Sequence, residues 1–202
     1  MASTTTASFP TIQLLQTPTR DSWVGEALAD LDTILLDHSH CERKAAGVAM
    51  NLMFRYPSSE KLVHTLTEIA QEELSHFAQV NQWLAQRGVP LRQLPAPPYG
   101  AGLSRQVNKQ EPERMLDSLL VAALIEARSH ERLGLLAADC PEPKLAAFYR
   151  SLMASEARHY GVYWVLATTY YDRDRVTARL ENLAQVESEL LATPYPYPRI
   201  HS

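Results

Sequence analysis

From residue 21 onward, apolar side chains recur every three or four positions, the period of helices that turn one face toward a core. Leu28, Leu31, Ile34 and Leu35 begin the first run, with Asp21 or Ser22 placed to cap it. That run continues through Val48, Leu52 and Met53 to Tyr56-Pro57, with a break expected near residue 31. A second helix is expected from Ser58 or Ser59 to Arg87, where Gly88 is a stop signal. Residues 88–111 (GVPLRQLPAPPYGAGLSRQVNKQE) hold four prolines and three glycines, too many breakers for a helix interior. A long connection of this kind inside a compact domain is usually functional or a crossover between parallel elements. Helical periodicity resumes from Pro112 to about Asp139, from the Pro141–Lys144 stretch to about Tyr171, and over 173–191. No segment shows strand alternation between hairpin turns.

The chain therefore reads as an extended N-terminal arm (1–20), an all-α bundle (21–191) with its crossover at 88–111, and a proline-rich C-terminal tail (192–202). Composition fits a folded domain: 202 residues, 46% hydrophobic and 21% charged. A formal net charge of −4 does not advertise nucleic-acid binding, although it leaves room for a local basic patch. Cys41 and Cys140 match no zinc spacing and are expected to be reduced, largely buried thiols. The first residues, MASTTTASFP, lack the basic and apolar regions of a signal peptide, and the longest apolar stretch is too short to span a bilayer. A soluble cytoplasmic location is expected.

The chemistry lies in a repeat. Glu73 and His76 in QEELSHF are three apart, which places both on one helical face. One such pair is a cheap match in a Glu-rich chain. Glu156 and His159 in SEARHY, however, repeat the spacing inside another long helix. Each pair is preceded by a glutamate on the previous helix, Glu42 in HCERKAA and Glu126 in LIEARSHERL. The Glu42–Glu73 and Glu126–Glu156 separations are 31 and 30 residues, and corresponding residues of the two halves lie 83 or 84 apart. The duplicated spacing favours Glu73 over its neighbour Glu72, because the second half has Ser155 at that place. It also favours Glu126 over Glu131, which would shorten the second interval to 25. Carboxylates and neutral imidazoles suit iron and manganese, and four carboxylates nearly neutralise two divalent cations. A glutamate from each of two helices plus Glu-x-x-His from two others is the arrangement of ferritin-like di-iron bundles. The expected fold is accordingly a ferritin-like four-helix bundle with one long crossover and extra terminal helices. His130, one turn after Glu126, is a candidate donor to a ligand or a pocket residue. His38, His40 and His64 are read as non-ligands.

DHSHCERKAAGVAMNLMFRYP, IAQEELSHFAQV, LIEARSHERL and MASEARHYGVYW resemble the tRNA 2-methylthio-N6-isopentenyladenosine hydroxylases (MiaE type), over about residues 22–190. The resemblance implies a non-haem di-iron monooxygenase that uses dioxygen to hydroxylate the isopentenyl side chain of a modified adenosine beside the tRNA anticodon. It assigns Glu42, Glu73 and His76 to one half-site and Glu126, Glu156 and His159 to the other, with Glu73 and Glu156 as bridging candidates. It also implies tRNA as a partner and an external electron-transfer protein or reductase. Candidate phosphate contacts are Arg87, Arg92, Arg105, Lys109 and Arg114, and Tyr99 is a candidate for stacking on a base. Competing readings are a di-iron oxygenase of a small lipid, quinone or aldehyde, and a ferroxidase or iron-handling protein. A rubrerythrin-like peroxidase would need a four-cysteine module, and the chain has two cysteines.

Overall fold

The computed structural model describes residues 14–202, so residues 1–13 of the expected arm lie outside the described range. Among the described residues are seven helices and no strand: α1 (Ser22–Ala29), α2 (Leu31–Arg55), α3 (Glu60–Gln86), α4 (Pro98–Ser104), α5 (Glu113–Asp139), α6 (Pro143–Tyr170) and α7 (Arg173–Ala192). The expected break falls at Asp30, which leaves helical geometry and accepts a hydrogen bond from the Thr33 N–H at 3.1 Å, capping α2. At the end of α3, Gly88 takes φ +68°, and the amides of Gly88 and Val89 bond back to Ala85 and Leu84. This left-handed stop explains why glycine stands there.

Two antiparallel hairpins make the body of the bundle. In α2–α3, Ser39 donates to Asn81 at 2.7 Å near one end and Thr67 reaches the Met53 sulfur near the other. In α5–α6, Arg150 donates to the Ala137 carbonyl at 2.8 Å and His130 meets the Met153 carbonyl. Helix α3 also runs antiparallel to α6, so α3 and α5 are parallel and a long crossover must carry the chain back between them. That crossover is not wholly irregular. Pro98 fits the first turn of α4, and Gly102 lets α4 approach α7 so closely that an added Cβ would collide with Leu190.

Two apolar clusters fill the bundle. One includes Leu52, Leu66, Leu119, Leu120 and Leu166, and the other Ile34, Leu35, Val80, Leu84, Leu133 and Leu152. Along α2, α3 and α6 the predicted metal residues lie between the positions that feed the two clusters, and on α5 Glu126 lies near the end of the stretch that feeds the first. The proline-rich tail folds back onto the bundle. It runs without helix and then turns inward, and Arg199, Ile200, His201 and Ser202 are all buried. Its polar backbone finds buried partners: Asp37 accepts the Ile200 N–H at 2.8 Å, Arg132 donates to Ile200 and Ser202, and Trp23 Nε1 donates to Arg199.

Candidate metal centre

The four long helices bring all six predicted residues together. Glu42, Glu73, His76 and Glu156 can present one atom each within 4.8 Å of one another, and so can Glu73, Glu126, Glu156 and His159. Every one is buried, and Glu73 and Glu156 belong to both groups.

The orientation of the donors tests whether a cation fits. Glu42 Oε2, Glu73 Oε1, His76 Nδ1 and His159 Nδ1 are buried with no hydrogen-bond partner among the described residues. His159 Nδ1 lies 2.6 Å from Glu73 Oε1, and His76 Nδ1 lies 3.5 Å from Glu42 Oε2, yet neither pair has hydrogen-bond alignment. Close donors that converge without bonding to each other are what a cation between them requires, since unpaired buried polar atoms are otherwise rare. The donor set fits iron or manganese.

The opposite ring nitrogens are anchored from across the bundle. His159 Nε2 meets Glu72 Oε2 at 2.7 Å, and His76 Nε2 meets Ser155 Oγ at 3.3 Å. Glu72 and Ser155 each precede the glutamate of a Glu-x-x-His pair, so each hairpin braces the histidine of the other. Glu72 is thus outside the cluster while steering one of its imidazoles. Glu42 is held likewise: His38 Nε2 lies 2.5 Å from Glu42 Oε1. The sequence signal for His38 is its place one helical turn before Glu42 on the same face.

Burial and mutual repulsion dominate the electrostatics. Burial and the charges of Glu126, Glu156 and Glu42 push the Glu73 carboxyl far up. Burial lifts Glu126 to about 7, and burial with the charges of Glu126 and Glu42 lifts Glu156 well above the carboxylate range. Burial also raises Glu42, but the charge and hydrogen bond of His38 outweigh it and hold this group low. Burial lowers His159, which keeps it in the neutral form that a metal binds.

A stability prediction follows from these directions. A carboxyl raised in the fold contributes stability that is fully present below its ordinary 4.5 and lost as pH rises through its folded value. From pH 6.5 to 8.5 the unfolded chain sheds its remaining half proton at His159, a small gain in stability. That gain is outweighed because Glu126 must ionise in the fold and Glu73 and Glu156 resist ionisation there. The chelated protein should therefore melt at a lower temperature at pH 8.5 than at 6.5. An equal or higher melting temperature at pH 8.5 would contradict the crowding of these carboxylates.

A cavity of about 540 Å³ opens onto the cluster. Glu42, Glu73, Glu126 and Glu156 form its floor, Ala122, Ile125 and Leu133 its apolar wall, and Ile200 with His201 from the tail another wall. The remaining predicted residues fall elsewhere. His130 bonds to the Met153 carbonyl at 2.9 Å, joining α5 to α6 through backbone rather than through a cluster residue. Glu131 serves Thr19 and Arg128. His40 meets the Arg92 carbonyl, and His64 is exposed beside Glu68. Tyr99 is not available to stack on a base: it is 2% exposed, its hydroxyl donates to Glu187, and its ring stacks on His201 at 4.8 Å. Arg87 pairs with Asp32 and Glu142 at the end of the bundle. Arg92, Arg105 and Lys109 are exposed and Arg114 is half-buried. Cys41 and Cys140 are free thiols, both half-buried.

The family model for the tRNA-(MS2IO6A)-hydroxylases (MiaE) matches residues 6–202. The chain belongs to the MiaE family. A Pseudomonas putida relative named tRNA 2-(methylsulfanyl)-N(6)-isopentenyladenosine(37) hydroxylase is 42% identical over 92% of this chain and 90% of its own length. A relative of the same name from Salmonella typhimurium is 30% identical over 96% of this chain and 89% of its own. Among solved structures, a Synechococcus protein named protein 43 with aldehyde deformylating oxygenase activity is 51% identical. It superimposes with a TM-score of 0.92 over 95% of this chain and 96% of that one. This MiaE-family chain is thus an all-α hydroxylase-family protein with a buried carboxylate–histidine cluster able to hold metal. Among its described residues no helix is long and apolar enough to cross a membrane.

Proposed function

We propose that this chain hydroxylates the isopentenyl side chain of 2-methylthio-N6-isopentenyladenosine in tRNA, next to the anticodon, at a di-iron centre. The observation that carries this reading is a buried cluster of four carboxylates and two imidazoles whose carboxylates line a largely apolar cavity, in a chain of this family. Glu42, Glu73 and His76 would hold one ion and Glu126, Glu156 and His159 the other, with Glu73 and Glu156 shared. When bound, the metal pair supplies dioxygen activation, with electrons from an external reductase, and so the oxidising power that an aliphatic C–H bond demands. The chain's own residues do the rest. Glu72, Ser155 and His38 fix the orientation of His159, His76 and Glu42, and the apolar wall keeps water from the reacting carbon.

The test is nucleoside mass spectrometry of prenylated, methylthiolated tRNA incubated with the iron-loaded, reduced protein and oxygen. Gain of one oxygen atom on the prenyl group is expected; an unchanged nucleoside would overturn the reading. A second reading, an oxygenase of aliphatic aldehydes, is favoured by the activity for which the Synechococcus protein is named. Hydrocarbon release from a long-chain aldehyde without tRNA turnover would select it.

A further inference from the structure

Two glycines at the mouth of the cavity have no explanation within the chain. Gly47 lies in the middle of α2 and Gly100 in α4, and both line the cavity. Neither has the positive φ that would demand glycine, and a Cβ built on either meets no atom within 4 Å. Gly102 differs, since the side chain of Leu190 fills its place. Gly25 and Gly161 also face open space, but neither lines the cavity. Glycine is the least favourable helical residue after proline, so Gly47 weakens α2 with no packing gained in return. What it leaves is a slot between α2 and α4. At the bottom of the same cavity are the buried, unpartnered oxygens of Glu42 and Glu73.

The edge of the slot suits a nucleotide. Lys44 and Asn51 on α2, and Ser104 on α4, are exposed and line it, and exposed Arg105 follows Ser104 directly. Half-covered Val48, 38% exposed, offers an apolar surface between them. Cations recognise phosphates, amide and hydroxyl groups read base edges, and a slot without side chains admits a flat heterocycle. A base modified inside a folded loop must be turned out of its stack to reach a buried centre.

We propose that the slot held open by Gly47 and Gly100 is the port through which the modified base enters, and that Lys44 at its edge binds a flanking phosphate of the RNA. The proposal rests on the tRNA reading above and specifies where that substrate docks. It is tested with Gly47→Leu and Lys44→Gln holoenzymes on modified tRNA and on the free modified nucleoside. Leucine is a strong helix former with space at this position, so metal content and melting temperature should match or exceed the parent's. Meanwhile kcat/KM should fall at least about tenfold on both substrates, as misplacement at a reacting centre does. Lys44→Gln should raise KM for tRNA several-fold more than for the nucleoside, and flatten the salt dependence of tRNA binding by about one unit of slope. Full kcat/KM in Gly47→Leu would overturn the port, and equal losses on the two substrates in Lys44→Gln would overturn the phosphate contact. A parent enzyme that turns over neither substrate would refute the functional reading instead. Binding then decides the port: Gly47→Leu must erase the preference of the parent for modified over unmodified tRNA, and a parent without that preference refutes it.

Discussion

With two metal ions held as proposed, Glu156→Ala and Glu73→Ala should each strip both from the protein, whereas Glu42→Ala and Glu126→Ala should each remove mainly one. The difference comes from geometry: Glu73 and Glu156 belong to both groups of converging donors, and Glu42 and Glu126 to one apiece. Loss of an outer partner of a ligand already lowers metal affinity roughly 10- to 100-fold, and loss of a shared ligand should exceed that. Elemental analysis of purified protein gives the ratio directly, with Glu72→Ala as the milder comparison, since Glu72 reaches the cluster only through the far nitrogen of His159 and otherwise pairs with exposed Arg158. The bundle should survive, because these carboxylates are held against their own repulsion. Metal-free Glu156→Ala should in fact melt above metal-free parent. Retention of two ions per chain in Glu156→Ala would refute the shared-ligand assignment.

Arg128→Ala should be the most destabilising change remote from the cluster, by about 3–5 kcal/mol, the range for breaking a buried ion pair. Arg128 and Glu187 are both fully buried, joined by two hydrogen bonds of 2.8 and 2.9 Å. Arg128 also contacts Glu131 and donates to the Thr17 carbonyl at 2.9 Å, tying α5 to α7 and to the chain before α1. Removing the guanidinium leaves Glu187 without its counter-charge in an apolar setting. Urea unfolding of metal-free protein measures the loss. Replacing both partners, as Arg128→Met with Glu187→Leu, should recover part of it, because no fully buried lone charge then remains and only half-buried Glu131 and the Tyr99 hydroxyl lose a partner. A single-variant loss under about 1 kcal/mol would mean that water reaches the site and screens it.

Much of the site was legible because a helix converts linear spacing into a shared face: Glu73 with His76 and Glu156 with His159 needed only the period. The register of the halves then selected Glu73 over Glu72. The braces escaped detection because they are exchanged across the bundle, Glu72 to His159 and Ser155 to His76, and no spacing within one helix reports that. Tyr99 misled for a similar reason. Its proline–glycine setting suggests an exposed loop, but its partners Glu187 and His201 lie about a hundred residues away. The tail reads by composition only as a proline-rich segment, yet buried Asp37 and Arg132 receive its backbone. Helix α4 was masked by prolines and glycines that serve its first turn and its close approach to α7.

The exchanged braces have a mechanical meaning. Within each hairpin the two helices pack along much of their length, whereas direct contact between the hairpins is far sparser. The donor atoms straddle that thinner seam. Sliding one hairpin past the other would separate Glu73 from His159 and His76 from Ser155 in the same stroke, while bending either hairpin as a unit would disturb them less. The centre thus acts as a gauge of alignment between the two hairpins, because a slide along their seam would change its cross-bundle donor distances together.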